Sequence, residues 1–328
     1  MYIYKAAVIG AGAMGSEIAQ TISFAGIPVI LKDVDETILQ GGMSRARQIY
    51  ERRREKGKMT PEEVAKKMAL IQPTTRYEEL RDVDLVVEAV VEEMAVKKKV
   101  FQELDRACPP SAILASNTSS LSISELGAAT RRPEKTVGMH FFYPAHVMKL
   151  VEVIPGLATS DETVTDVVTF SETLRKIPIR VKECAGFLVN RLLMPYLNEA
   201  AYALQEGSTS LPEIDRVMVD FGFPMGPFAL VDTVGLDICY SVVGILLEEY
   251  GNRMTPAAIW ESLQKAGRYG MKRKKGFYTY EKTPPEVDPE VTALIQKLSK
   301  EEANSTKPFS AERLLLPMVN EAALCLQE

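Results

Sequence analysis

The chain has 328 residues, long enough for two domains, and its 46% apolar and 25% charged residues give the balance of an ordinary globular protein. A net charge of −5 argues against general nucleic-acid binding, and no apolar run approaches the ~20 residues a bilayer-spanning helix needs. The first strand is expected by about Tyr4, which leaves no room for a leader, so a cytoplasmic location is the default expectation.

The pattern opens with an apolar strand, Ala6–Ile9, followed by Gly10-Ala11-Gly12-Ala13-Met14-Gly15 and a helix over Ser16–Ala25. Strand, glycine turn and helix in that order form a dinucleotide-binding pattern. Gly10 permits the tight turn, Gly12 lets backbone approach a pyrophosphate, and Gly15 allows helix and strand to pack closely. The second strand, Val29–Lys32, ends at Asp33, 18 residues after Gly15. A carboxylate there would accept hydrogen bonds from the adenosine ribose and repel a 2′-phosphate, favouring NAD over NADP. Asp35 is a weaker candidate, lying farther past the strand.

A long charged insertion follows. Residues 37–68 read as two helices joined near Gly57–Pro61, with Thr60 as N-cap, Pro61 at the first helical position and Glu63 completing a capping box. The first of these helices carries Arg45, Arg47, Arg52, Arg53, Arg54 and Lys56. That run is either a solvated face or a basic arm for the phosphates of a large anionic substrate.

Further strands are expected at Leu85–Ala89, Ile113–Ala115, Val137–Phe141, Leu150–Ile154 and Ile177–Val181, with helices over Val96–Leu104 and Val164–Leu174. The alternation predicts an α/β, Rossmann-type doubly wound sheet with a helical-hairpin insertion. From Gly186 onward the strand pattern stops, and helices are expected over Phe187–Gln205, Leu211–Asp220, Phe228–Tyr250 and Ala257–Ala266. The reading divides the chain into an NAD-binding domain (1–185), an all-α substrate or dimerisation domain (186–300) and the start of a second, truncated helical repeat (301–328). The repeat rests on Arg191–Glu206 recurring as Arg313–Glu328, with eleven of sixteen positions identical at an offset of 122. The repeat stops after one helix, which suggests a piece of a longer parent. Glu312 stands where the first copy has Asn190.

The chain has two histidines, and one lies in Gly138-Met139-His140-Phe141-Phe142-Tyr143-Pro144. Twelve residues on, Glu152 interrupts the apolar run Leu150–Ile154. An imidazole and a misplaced carboxylate beside a dinucleotide turn suggest hydride transfer with an acid/base partner. The four cysteines, Cys108, Cys184, Cys239 and Cys325, form no CxxC pair and are read as reduced thiols, with no metal site expected.

These blocks resemble the L-3-hydroxyacyl-CoA dehydrogenases of fatty-acid β-oxidation. The matching stretches are the opening glycine turn, Val86–Glu92, Ala115–Leu121, Gly138–Pro144, Lys149–Ile154, Gly186–Arg191 and Pro224–Phe228, in family order. The resemblance implies NAD-dependent oxidation of an L-3-hydroxyacyl-CoA thioester, with His140 as general base, Glu152 orienting it, and Ser119 and Asn190 hydrogen-bonding the reacting oxygen or thioester. It also implies that Glu92 and Lys97 approach the dinucleotide, alongside Gly10 to Gly15, Asp33 and Ser119. Lys56 matches by spacing a lysine that meets coenzyme A, so Lys56, Ser119 and Asn190 are the substrate-binding candidates.

Taken singly, each residue has a structural reading: His140 as a satisfied core histidine, Glu152 at an edge, Ser119, Ser120 and Asn190 as helix caps. Tyr143 departs from the family, which often has Asn there, and the loop Gly270–Tyr280 carries extra basic residues, either touching phosphate or solvated. Other readings are a 3-hydroxybutyryl-CoA dehydrogenase working reductively, a non-CoA hydroxyacid dehydrogenase, and a structural protein retaining the NAD site. Short members of the family pair as homodimers through the helical domain. Longer ones, some fused to an enoyl-CoA hydratase, carry a second helical copy, so intramolecular pairing in a longer parent is the alternative.

Overall fold

A computed structural model describes residues 2–302 and 309–328. The chain divides into two compact units, residues 1–187 and 188–328. Residues 303–308, within the expected second repeat, lie outside the described residues.

The first unit is an eight-stranded sheet built from β1 (Ala6–Ile9), β2 (Val29–Lys32), β3 (Ile71–Thr74), β4 (Leu85–Glu88), β5 (Ile113–Ser116), β6 (Thr136–Phe141), β7 (Leu150–Pro155) and β8 (Ile177–Arg180). Their spatial order is β3-β2-β1-β4-β5-β6-β7-β8. β1 to β6 pair in parallel, β7 runs antiparallel to β6, and β8 runs parallel to β7. The strands β1, β2, β4 and β5 are buried throughout, because helices cover a parallel sheet on both faces. The order reverses between β1 and β4, and ligands of doubly wound sheets bind beyond the carboxyl ends of strands at such a point.

The expected strands all form, with ends shifted by a residue at most. One strand of this unit escaped the sequence reading. β3, Ile71-Gln72-Pro73-Thr74, buries only its two ends, and its proline is tolerated because the strand lies at the sheet edge. A four-residue edge strand containing Pro carries almost no periodic signal.

The helix α1 (Ala13–Ala25) follows the glycine turn. The insertion forms as read: α2 (Glu36–Glu55) and α3 (Pro61–Met68). Thr60 accepts from the Glu63 N–H at 3.2 Å and its own N–H donates to Glu63 at 2.8 Å, closing the capping box. α2 buries Leu39, Gly42, Ala46, Ile49 and Tyr50, a stripe at helical spacing, and leaves most of its arginines outside. Tyr50 anchors that stripe, its hydroxyl 2.7 Å from Ser23 Oγ and 3.0 Å from the Gln20 carbonyl on α1. Three helices complete the unit: α4 (Met94–Ala107), α5 (Ile123–Gly127) and α6 (Asp161–Thr173).

The second unit contains α7 (Val189–Gln205), α8 (Leu211–Phe221), α9 (Pro227–Val234), α10 (Leu236–Tyr250), α11 (Ala258–Lys265), α12 (Pro289–Glu302) and α13 (Ala311–Gln327). The second unit departs from expectation in two places. The single helix expected over Phe228–Tyr250 is broken at Gly235, whose φ of 109° is a glycine conformation, and the two pieces bend by 100°. Strands do not stop at Gly186, since Tyr278–Thr279 and Glu286–Val287 form a small antiparallel hairpin. Among the described residues no single helix is long and apolar enough to cross a membrane.

The two copies of the repeated segment, α7 and α13, pack against each other. Their ion pairs are reciprocal. Arg191 of the first copy meets Glu321 at 2.6 Å and Glu328 at 2.5 Å in the second. Arg313, the counterpart of Arg191, meets Glu199 at 2.7 Å and Glu206 at 2.9 Å, which are the counterparts of Glu321 and Glu328. Contacts exchanged in this way are the signature of a two-fold relation.

Candidate active site

The dinucleotide turn has the sterics its glycines require. Gly10 has φ 100°, and a Cβ there would lie 2.5 Å from the Ala89 carbonyl oxygen. A Cβ on Gly15 would lie 1.7 Å from the Gly10 oxygen, so helix and turn touch directly. A Cβ on Gly12 would meet nothing within 4 Å. Gly12 is thus the glycine whose missing side chain leaves room outside the protein, where a pyrophosphate would approach the start of α1.

Asp33 closes the turn from β2. One carboxylate oxygen accepts from the Ala11 N–H at 2.6 Å, the other from the Val34 N–H at 2.7 Å. Asp35 has another task, capping α2 through the N–H groups of Thr37 and Ile38. Sequence reasoning missed one contact to the turn. Arg45 does not join the outer basic face: its Nη2 donates to the Ala11 carbonyl at 2.5 Å and its Nε to Ser16 Oγ at 3.2 Å. Gly42 lets α2 come this close, because a Cβ there would lie 2.8 Å from Ala11.

His140 and Glu152 are brought together by strand register. They are direct partners across the antiparallel β6–β7 pair, which sets their side chains on one face. His140 Nδ1 lies 2.7 Å from Glu152 Oε2. Both are buried, His140 at 6% exposure and Glu152 at 0%. The imidazole is flanked by Phe142 and Phe187, with ring centroids at 4.5 and 5.9 Å. Phe187 holds φ 51°, a conformation that costs a bulky residue free energy and persists only where surrounding structure enforces it. With Nδ1–H donating to the carboxylate, Nε2 keeps its lone pair and can take a proton.

Around the end of β5 a second polar group forms. Glu92 Oε1 accepts from Thr118 Oγ1 at 2.6 Å, from the Ser119 N–H at 2.8 Å and from Ser119 Oγ at 3.1 Å. Glu92 Oε2 lies 3.3 Å from Lys97 Nζ. Burial opposes its charge, but Lys97 and the Thr118 and Ser119 donors prevail and hold it below the ordinary carboxylate range. Neither Ser119 nor Ser120 caps the following helix. Ser122 does, accepting from the Glu125 N–H at 3.1 Å. Asn117 was also missed: its side-chain oxygen accepts from the Phe141 N–H at 2.8 Å, tying the end of β5 to the strand that carries His140. Asn190 sits in the first turn of α7, whose N-cap is Leu188, so it is not a cap.

Lys56 ends α2 and lines a cleft of about 380 Å³ together with Arg52, Arg53, Lys58 and His146. His146 Nδ1 is 3.1 Å from Glu17. The Gly270–Tyr280 loop is fastened from beneath by Asp232, which accepts from the N–H groups of Phe277 and Tyr278 and from the Tyr280 hydroxyl. Lys272 pairs with Asp237 at 2.6 Å. Tyr143 is 53% exposed. All four cysteines are free thiols, two buried and two half-buried, and burial pushes Cys108 and Cys239 up to about 12. Among the described residues no group of His, Cys, Asp or Glu is placed to hold a metal ion.

A doubly wound sheet with a glycine turn and a terminal acid, followed by a helical unit, defines the class: an NAD-linked oxidoreductase. The NAD-binding domain of the 3-hydroxyacyl-CoA dehydrogenases matches residues 5–184, and the C-terminal domain of the same family matches residues 186–280. The chain belongs to the 3-hydroxyacyl-CoA dehydrogenase family. It is 45% identical to a probable 3-hydroxybutyryl-CoA dehydrogenase of Bacillus subtilis, over 86% of this chain and 99% of that one. It is 40% identical to a fatty acid oxidation complex subunit alpha of Acinetobacter baumannii, over 99% of this chain but 46% of that one, so it spans about half of that relative's length. The crystal structure of (S)-3-hydroxybutyryl-CoA dehydrogenase from Ralstonia eutropha superposes with a TM-score of 0.82 at 39% identity, covering 85% of this chain and all of that one. The protein is thus an NAD-dependent 3-hydroxyacyl-CoA dehydrogenase, as the glycine turn and the histidine and serine blocks implied.

Proposed function

We propose that His140 is the general base for oxidation of an L-3-hydroxyacyl-CoA to the 3-oxoacyl-CoA, with Glu152 holding its Nδ1. The observation that carries this reading is the buried 2.7 Å contact between the two side chains. NAD, when bound, accepts the hydride from C3. His140 Nε2 takes the proton of the 3-hydroxyl, and Glu152 stabilises the imidazolium that results. Flanking by Phe142 and Phe187 keeps water from the ring and strengthens its interaction with the carboxylate. Ser119 and Asn190 orient the reacting oxygen or the thioester. Gly10, Ala11, Gly12, Ala13, Met14, Gly15, Asp33, Glu92, Lys97 and Ser119 hold the dinucleotide.

The substrate is an acyl-CoA thioester, and the cleft lined by Lys56 receives its phosphates. Four cationic side chains around one opening support that role. Lys56→Glu should then raise KM for a CoA thioester by roughly 10-fold, the scale of one charge-assisted contact. KM for the same acyl group on an N-acetylcysteamine thioester, which lacks the phosphates, should stay unchanged. Equal effects on both would remove CoA from this cleft.

A second reading takes short-chain substrates, which the relatives named for 3-hydroxybutyryl-CoA support, and runs the reaction toward reduction. The acyl groups accepted and the rates in each direction distinguish the two. The helical copies belong to the same proposal: α13 takes on α7 the place of a two-fold partner, so the pairing is within one chain rather than between copies. A cytoplasmic location completes this reading.

A further inference from the structure

The run Val86-Val87-Glu88-Ala89-Val90-Val91-Glu92 contains two carboxylates, and the proposed site uses only the second. Glu88 is fully buried at the end of β4. A charge in such a place is costly unless every lone pair is engaged. Its Oε1 accepts from the Val90 N–H at 2.7 Å and from Lys97 Nζ at 2.7 Å, and its Oε2 accepts from Ser116 Oγ at 2.6 Å. Lys97 is 1% exposed, and its ammonium lies between Glu88 and Glu92.

We propose that Glu88 is a positioning residue for the dehydrogenase reaction: through Lys97 it sets the place of Glu92, and through Glu92 the orientation of the Ser119 hydroxyl. This rests on the assignment of Glu92 and Ser119 to the site.

The three charges differ in freedom. Glu88 is fixed by its strand and by three donors. Glu92 follows the strand end, and its side chain is 39% exposed. It can rotate into solvent unless something holds it. The Thr118 and Ser119 donors hold its Oε1, Lys97 holds its Oε2, and Glu88 decides where Lys97 sits. With Glu88 neutral, Lys97 has one carboxylate left and closes on it. Glu92 then turns toward Lys97 and away from Ser119, which gains a choice of rotamers. The strand network thus fixes, from inside the sheet, a hydroxyl at its edge.

The test uses Glu88→Gln, alone and combined with Ser119→Ala, with kcat, KM for NAD and melting temperature measured at saturating thioester. Glu88→Gln should lower kcat by about 10- to 100-fold, the scale of a small misplacement of a reacting group. In the Ser119→Ala background it should add less than about threefold, because both changes act on one hydroxyl. Ser116→Ala, which removes one donor from Glu88 and leaves its charge, should lower kcat in the same sense by a smaller factor. It carries the test should Glu88→Gln fail to fold. A folded Glu88→Gln enzyme with wild-type kcat would overturn the proposal. So would an equal loss in both backgrounds, which marks a purely structural role. A Ser119→Ala enzyme with full activity would overturn the Ser119 assignment and the proposal with it, and that outcome is read from the single variant alone.

Discussion

At the scale of single residues, the proposed site depends on a cross-strand pair. Two side chains twelve positions apart meet because β6 and β7 run antiparallel in a register that sets His140 opposite Glu152. The carboxylate chooses the tautomer of the imidazole. Glu152→Gln keeps the shape, but its amide can present N–H to Nδ1 and place the remaining proton on Nε2, where the base must be free. The expected loss in kcat is roughly 10²-fold or more, with KM for NAD nearly unchanged. Steady-state kinetics decide it, and an unchanged kcat would show that the carboxylate does not orient the base.

Residue types and order made His140, Glu152, Ser119 and the glycine turn legible in the sequence as candidates, because few chemistries require all of them together. Glu88, Asn117, Ser116 and Arg45 were not legible. Their contacts come from the groups that the sheet and α2 place beside them, and a one-dimensional pattern does not contain that information. Arg45 shows the point well. In sequence it is one member of a basic run, yet the close packing at Gly42 turns it onto the Ala11 carbonyl.

At the scale of elements, helices with clear periodicity and caps were read well, as the α2–α3 hairpin and its Thr60 capping box show. The break between α9 and α10 was not, because apolar spacing runs on through Gly235 and only the backbone there changes. Asp232, on α9, gives this region a pH response. Burial chiefly, with neighbouring Asp215 adding, raises its carboxyl from 3.8 to about 6, against the pull of its three hydrogen bonds. A raised carboxyl favours the protonated form in the fold. Its stabilising contribution is therefore present below 3.8 and lost as pH rises through about 6. Asp232→Asn cannot titrate. The stability difference between wild type and this variant should move by about 3 kcal/mol between pH 3.5 and 7, favouring wild type more at the acid end. Chemical denaturation of both proteins across that range checks it, and a flat difference would mean that Asp232 titrates alike in the folded and unfolded chain.

At the scale of the whole molecule, the duplicated helices are joined by a buried connection and a more open one. Arg191 and Glu321 are each 4% exposed, whereas Arg313 and Glu199 are 24% and 26% exposed. The two-fold relation therefore makes an asymmetric prediction. Arg191→Ala leaves Glu321 buried with, among the described residues, only Arg253, 3.3 Å away, as a cation. Its cost should fall toward the lower end of the ~3–5 kcal/mol typical of a broken buried pair. Arg313→Ala should cost about 1 kcal/mol or less. Thermal unfolding gives both values, and equal costs would remove burial as the distinguishing factor. The repeat itself was legible in the sequence. Its reciprocal pairing was not, because identity between copies does not say which residue of one meets which of the other.

The central claim is that this chain moves a hydride and a proton between an L-3-hydroxyacyl-CoA and NAD, with His140 taking the proton. The most direct measurement is NADH formation with short- and long-chain L-3-hydroxyacyl-CoA, beside His140→Ala. We predict turnover that requires NAD and a loss in kcat of roughly 10²–10⁴-fold in the variant, with NAD affinity little changed. Equal turnover in the variant would contradict the assignment of the base, and absence of turnover in the wild-type chain with NAD bound would contradict the claim that residues 1–328 carry the reaction.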